Sequence, residues 1–223
     1  MKQIILFLFM SVVFKCISQE KQLQLVDRYW EDQLYLGVTY NILDRQPLGV
    51  SDSGFSYGLS GGYIKDIPFN RKGRFAIGVG LGYSFYSFNH GYKILIINDK
   101  IIFDIDNIRL SNELKLHNIE FPLEFRFRTS TVKDYRFWRV YGGAKISYNF
   151  SNSFGYEEAG EILMFKDVSR YNKWQIGLSL STGYGAFNFY MYYGITPMFK
   201  RAIVGAKNIN TRVMKFGLIF YIL

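Results

Sequence analysis

Residues 116–150 read LHNIEFPLEFRFRTSTVKDYRFWRVYGGAKISYNF, and the fold is decided there. In the first run Ile119, Phe121, Leu123, Phe125 and Phe127 alternate with Asn118, Glu120, Pro122, Glu124, Arg126 and Arg128. In the second, Trp138, Val140, Ala144, Ile146, Tyr148 and Phe150 alternate with Arg139, Tyr141, Lys145, Ser147 and Asn149. Successive side chains of a strand point to opposite faces, so each run has one apolar face and one polar, charged face. The turn Thr129–Arg136 makes the two strands neighbours. Their apolar faces are expected to touch lipid and their polar faces to line a narrow barrel.

The rest of the chain repeats this pattern. Apolar faces are formed by Leu34, Leu36, Val38, Tyr40 and Ile42 in the first strand, 33–43. The second, 55–64, offers Phe55, Tyr57, Leu59 and Tyr63, and the third, 75–88, offers Ile77, Val79, Leu81, Tyr83 and Phe85. The fourth and fifth are the runs quoted above. The sixth, 174–181, presents Trp174, Ile176, Leu178 and Leu180, and the seventh, 186–195, Phe187, Phe189, Met191 and Tyr193. The eighth is 213–223. The connections alternate in length. Short turns are expected at 66–73, Thr129–Arg136 and 182–185, the last reading Thr182-Gly183-Tyr184-Gly185. Long ones are expected at 44–54, 89–113, 151–173 and 196–212. The 89–113 connection contains two short β-like runs, 92–97 and 100–105. Eight antiparallel strands with alternately short and long connections describe an up-and-down transmembrane β-barrel of the smallest outer-membrane size.

Composition agrees with an all-β chain. Aromatic residues are 19% of 223, glycine is frequent and proline scarce, which favours strands. The net charge of +9 is spread between strands and turns, without the basic cluster expected of a nucleic-acid binder. It suits a rim facing anionic headgroups.

Lys2 and the apolar run Ile4–Phe14 read as a secretory signal, with cleavage expected after Ser18. The expected parts are a signal peptide at 1–18, a periplasmic lead at 19–32 and a barrel at 33–223. Removing Lys2 and Lys15 lowers the formal charge from +9 to +7. Removing Cys16 leaves no thiol for disulfide or redox chemistry. Past the signal, no apolar run reaches the ~18 residues of a spanning helix, so any membrane crossing must be a closed barrel.

Alternation does not separate a lipid-facing barrel from a soluble one with an apolar interior. Four other features favour lipid. The polar faces of strands two, three and six consist of Gly, Ala and Ser, which fit a crowded lumen. Trp30, Trp138 and Trp174 fall at strand ends, with Tyr83, Phe85, Tyr148, Phe150 and Tyr193, as interfacial girdles do. Lys215, Gly217, Phe220 and Ile222 resemble the C-terminal assembly signal of outer-membrane proteins. The export signal is the fourth.

Glu120, Glu124, Arg126, Arg128, Arg139 and Lys145 share the expected inward faces. Unpaired lumenal charge is costly, so cross-strand ion pairs are expected. A polar plug is the favoured reading, ahead of a substrate-binding or proton-active cluster. Eight strands enclose no open channel, so no general porin activity is expected. The histidines are His90, in a loop, and His117, at the outer end of the fourth strand on the lipid face. Some outer-membrane barrels are lipid hydrolases with Ser-His-acid sites at this height. Here no serine stands two residues from His117, and no nucleophile motif is present. No catalytic residue is therefore assigned. Asp104, Asp106 and Asn107 read as turn chemistry rather than a calcium site, and no metal or cofactor is expected.

The stretch His117–Phe127, with Glu-Phe-Pro-Leu at Glu120–Leu123, then Phe137-Trp138-Arg139 and Tyr141-Gly142-Gly143, resembles the PorT-like family of outer-membrane β-barrels. The resemblance extends loosely over the mature chain. It implies an outer-membrane barrel, and it implies for the namesake's role a part in type IX secretion and gliding. Many members share only the barrel, and the family offers no catalytic residues to transfer. The expected role is structural or interaction-based, with lipids and envelope or secretion-complex proteins as partners. The alternatives are a lipid- or small-ligand-binding barrel and an outer-leaflet lipid hydrolase.

Overall fold

A computed structural model describes residues 32–47, 54–69, 73–97, 100–105, 112–129, 138–158, 160–168, 170–200, 203–204 and 207–222. The expected signal peptide at 1–18, all but Asp32 of the expected lead, and Trp30 lie outside the described residues. The strands are β1 (Gln33–Asp44), β2 (Tyr57–Pro68), β3 (Phe75–Asn89), β4 (Tyr92–Ile97), β5 (Lys100–Ile105), β6 (Glu113–Arg128), β7 (Trp138–Glu158), β8 (Glu161–Lys166), β9 (Trp174–Tyr184), β10 (Phe187–Gly194), β11 (Ile203–Val204), β12 (Lys207–Asn208) and β13 (Arg212–Ile222).

Eight of these form a closed antiparallel ring. Its order is β6-β3-β2-β1-β13-β10-β9-β7, with β7 pairing back to β6. Closure matters because hydrocarbon supplies no hydrogen-bond partner for an open edge. The ring's outside is apolar. Phe121, Leu123, Val140 and Ile146 are 40–49% exposed, whereas Glu124, Arg126 and Lys145 are at most 5% exposed. A water-soluble barrel would show the reverse.

Aromatic pairs mark two girdles. At the short-turn end Trp138 meets Tyr184 at 5.8 Å, Phe75 meets Phe127 at 5.1 Å and Phe187 meets Phe220 at 5.1 Å. At the long-loop end Tyr148 meets Trp174 at 4.8 Å, and Phe85 meets His117 at 5.1 Å. From Trp138 to Tyr148 a tilted strand climbs about 25 Å, the height of the apolar band of such barrels.

Several boundaries differ from the sequence reading. The second strand continues past Ile64 to Pro68. Lys65 points outward at the rim and pairs with Asp32 at 2.6 Å, so Asp66 belongs to the barrel interior rather than to a turn. The third turn is shorter than expected: Tyr184 still pairs with Phe187, leaving Gly185 and Ala186 to reverse the chain. Gly185 has φ of +59°, a left-handed conformation that glycine adopts without strain.

The largest correction concerns 151–173. Its first part is not a loop: β7 runs for 21 residues and folds back as β8, pairing Ser153–Glu158 with Lys166–Glu161. The cause is a β-bulge. Asn118 pairs with Asn149 but His117 pairs with Ser151, so Phe150 is the extra residue. A bulge reverses the side-chain phase, so Asn152 and Phe154 point inward although Phe150 points outward. The Asn149 amide holds the bulge by donating to the His117 carbonyl (3.0 Å), Asn118 Oδ1 (2.9 Å) and the Ser151 carbonyl (2.9 Å).

Above this level the barrel continues into a cap. Tyr92, Leu114, Leu116, Phe154, Tyr156, Val168, Tyr171, Met198, Phe199 and Ile209 form one buried apolar core there, with Tyr86, Phe88, Leu43 and Val213 from the barrel strands. The β4–β5 hairpin follows the expected two runs. His90 is buried in this core, 4.2 Å from the Phe154 ring.

Val79 stands 46% exposed near the middle of the apolar band. Val79→Arg places a charge in hydrocarbon and is expected to cost ~2–4 kcal/mol. Urea unfolding in phospholipid vesicles measures it; a change below a few tenths would mean that this face does not meet lipid.

Candidate functional site

The lumen holds most of the barrel's buried charge, in layers set by strand parity. Nearest the turn end is Asp66. Its Oδ1 accepts from Arg126 Nη1 at 3.1 Å and its Oδ2 from Arg128 Nη2 at 2.6 Å. Arg126 also donates through Nε and Nη2 to Glu124 Oε2, both at 3.2 Å. Arg128 Nε caps the Gly73 carbonyl at 2.6 Å, and Arg139 Nη1 caps that of Gly185 at 2.6 Å. The Arg126 guanidinium lies 4.6 Å from the Tyr141 ring and 5.8 Å from that of Tyr221. Planar guanidinium suits this place, because it forks onto carboxylates and stacks on rings together.

The next layer is built on Glu120. Lys145 Nζ sits 2.9 Å from Glu120 Oε2, and Tyr86 Oη donates to Glu120 Oε1 at 2.6 Å. The Lys145 ammonium is 5.0 Å from the Tyr190 ring and 5.9 Å from that of Tyr35. Above it, Lys215 Nζ lies 3.4 Å from the Tyr86 ring and 4.4 Å from the Tyr192 ring. A cavity of about 20 Å³ adjoins Lys215, lined also by Asn118, Ser147, Gln175 and Tyr171. That volume holds about one water. The cap core closes the lumen beyond it.

The small residues and the large rings are counterparts. A Cβ at Gly82 would fall on the Tyr35 hydroxyl, and one at Gly58 on the Tyr86 ring. A Cβ at Gly78 would meet the Arg126 guanidinium, and one at Gly177 the Tyr192 ring. The glycine faces of β2, β3 and β9 thus leave the space that the tyrosines and arginines of facing strands fill.

The six residues singled out from sequence all lie in the lumen, none more than 5% exposed. Glu124 and Arg126 form one group with Arg128 through Asp66, and Glu120 and Lys145 form another. Arg139 is joined to the turn at Gly185. Sequence reasoning missed Asp66, Lys215 and the inward tyrosines Tyr35, Tyr86, Tyr190, Tyr192 and Tyr221. A signal for Asp66 was present: four cations against two carboxylates left the set short of acid.

Outside the lumen, His117 Nδ1 is 2.7 Å from Tyr83 Oη on the lipid-facing wall. The bulge brings Ser151 opposite His117 in register, but no hydrogen bond joins their side chains. Among the described residues, no group of three or more His, Cys, Asp or Glu is placed to hold a metal ion. Asp106 and Asn107 lie outside the described residues.

A closed ring of eight tilted strands, apolar outside and ion-paired inside, is joined by agreement in sequence. The profile of the outer membrane protein beta-barrel domain matches residues 17–200. The chain belongs to the outer membrane protein beta-barrel domain family. It is an outer-membrane β-barrel protein, with its short turns on the periplasmic side and its cap outside, as such barrels are oriented. No curated protein matches the sequence. Among solved structures the barrel is similar to Ail, the attachment invasion locus protein of Yersinia pestis, at 14% identity and a TM-score of 0.33, covering 86% of this chain and 97% of that one. It is similar also to the same protein in complex with the heparin analogue sucrose octasulfate, at 12% identity and a TM-score of 0.34, with 86% and 97% covered.

Lys145→Met removes the ion-pair partner of the Glu120 carboxylate, which keeps the Tyr86 hydroxyl as a hydrogen-bond donor. Removing one partner of a buried pair costs about 3–5 kcal/mol, whereas removing both charges costs much less. The double variant Glu120→Gln/Lys145→Met is therefore expected to recover most of the loss in vesicle unfolding. Equal losses in the single and double variants would show that the pair does not act as a unit.

Proposed function

We propose that this outer-membrane barrel is a structural or interaction component of the envelope, an accessory of a secretion or other membrane complex. The observation that carries the reading is the closed lumen. Paired charges, tyrosine rings and the cap core fill it in succession, so its solvent-accessible chemistry is on the outer cap and the two rims. The PorT-like residues Glu120–Leu123 and Tyr141-Gly142-Gly143 support type IX secretion as the finer assignment. The N-terminal parts proposed with it are a signal peptide at 1–18 and a periplasmic lead at 19–32 that enters the barrel at Asp32. There Asp32 accepts from Tyr63 Oη (2.7 Å), Lys65 Nζ (2.6 Å) and the Asp66 amide (3.1 Å).

Affinity purification from detergent-solubilised outer membranes tests the role. A stable protein partner is expected, and its absence at native expression would overturn the reading. The purified barrel is expected to give no ion conductance in planar bilayers above the bare membrane; a steady open pore would contradict the filled lumen. N-terminal sequencing of the membrane-extracted protein is expected to begin at Gln19. A strain carrying His117→Ala is expected to keep an unchanged lipid A profile, whereas an altered one would favour an outer-leaflet hydrolase.

A further inference from the structure

β8 ends the main sheet. It pairs with β7 and, among the described residues, with no strand on its other side. Its partners on β7, Ser153–Glu158, lie five to ten positions beyond Tyr148 of the outer girdle. At the rise of a tilted strand that is about 12–25 Å above the girdle, clear of hydrocarbon. The side chains alternate. Leu163 and Phe165 pack on the cap core, while Ile162 and Met164 stand out, 70% and 55% exposed. Lipid does not account for apolar side chains at this height. Natural edge strands are usually blunted by proline, a bulge or an inward charge, and β8 carries none of these along Ile162–Phe165. Its two ends bear opposite charge: Glu161 at the hairpin tip and Lys166 at the base, both exposed.

We propose that β8 is a docking edge, taking up an extended segment of another protein as an added antiparallel strand. Main-chain bonds give such additions their affinity, and alternate side chains give their specificity. The segment that fits is apolar opposite Ile162 and Met164, basic opposite Glu161 and acidic opposite Lys166. A second copy in the same membrane does not fit. Antiparallel self-pairing of β8 needs a two-fold axis perpendicular to the sheet, which here lies in the membrane plane and would turn the second barrel upside down. The proposal rests on the reading of the barrel as an interaction protein and names where the partner is held.

Disulfide tethering tests it on the membrane-extracted protein carrying Met164→Cys. The probe is the peptide Glu-Thr-Cys-Thr-Val-Lys, whose third residue falls opposite position 164. At equilibrium with a small thiol it is expected to label at least about tenfold more than the charge-swapped Lys-Thr-Cys-Thr-Val-Glu. It is also expected to exceed a copy whose β8-facing amides are N-methylated by a similar factor. Ile162→Cys with Glu-Thr-Val-Thr-Cys-Lys repeats the measurement at a second site, so a folding defect in one variant does not decide the result. Equal labelling by all three peptides overturns the proposal, and so do disulfide-linked dimers of the variant in intact membranes. In cells, Met164→Pro is expected to release the co-purifying partner while the barrel keeps its heat-modifiable mobility. If the partner stays, the docking edge is wrong and the interaction role stands; if the unaltered protein has no partner, the role itself falls.

Discussion

A strand in hydrocarbon has nowhere to place its amide and carbonyl groups except on another strand, and this constraint organises the molecule. It forces β7 back onto β6, and closure at eight strands leaves a lumen narrow enough for side chains to fill. A carboxylate turned inward must then find its partner within the ring. Asp66 serves Arg126 and Arg128 at once, and Glu120 serves Lys145 and Tyr86. Such pairs add little net stability, because desolvation cancels much of their attraction. Their effect lies in register. A strand slipped by one residue would turn Glu120 or Arg126 into lipid and strand its partner inside.

The same narrowness explains the glycines. A face such as Ala76-Gly78-Gly80-Gly82 cannot be understood along its own strand. Gly82 is small because Tyr35, two strands away around the ring, reaches across to it. Packing of this kind is a property of the closed ring, so the small face was legible in sequence and its reason was not. The period of two located the eight strands, and the tiny residues told which face was inward. Tyrosine defeated the reading. In β1, Tyr35 stands out of phase with Leu34 and Leu36, and in β10 Tyr190 and Tyr192 alternate with Met191. As a ring with one polar atom, tyrosine suits both a girdle and a lumen, and only its phase against the aliphatic neighbours distinguishes them.

The bulge at Phe150 shows why the upper part was harder still. A pattern argument assumes that parity is kept along a strand. One inserted residue ends that assumption, and the run Ser151–Glu158 then no longer reads as a continuation of the strand before it. Asn149 carries the signal that remains. An asparagine among inward polar residues that satisfies three groups around an irregular pair is chemistry that a regular ladder does not require.

The rule for burial also changes within single strands. In β6 the even positions always point inward, yet they are Glu120, Pro122, Glu124 and Arg126 below His117, and Leu114 and Leu116 above it. The odd positions change the other way, from Ile119 and Phe121 to Lys115 and Glu113, which pair with each other at 2.8 Å. Below His117 the strand obeys the order of a membrane, apolar outward; above it the order of a water-soluble domain, apolar inward. In β7 a bulge makes this exchange by shifting phase, and in β6 a change of residues makes it without one. The level at which both occur is that of the Tyr148–Trp174 girdle, so the outer membrane surface is encoded twice, independently, in adjacent strands. A cap built on the second rule has its own packed core. A partner meeting such a surface need not bear the entropy of arranging loops, which is the property that separates a docking platform from a set of tethers.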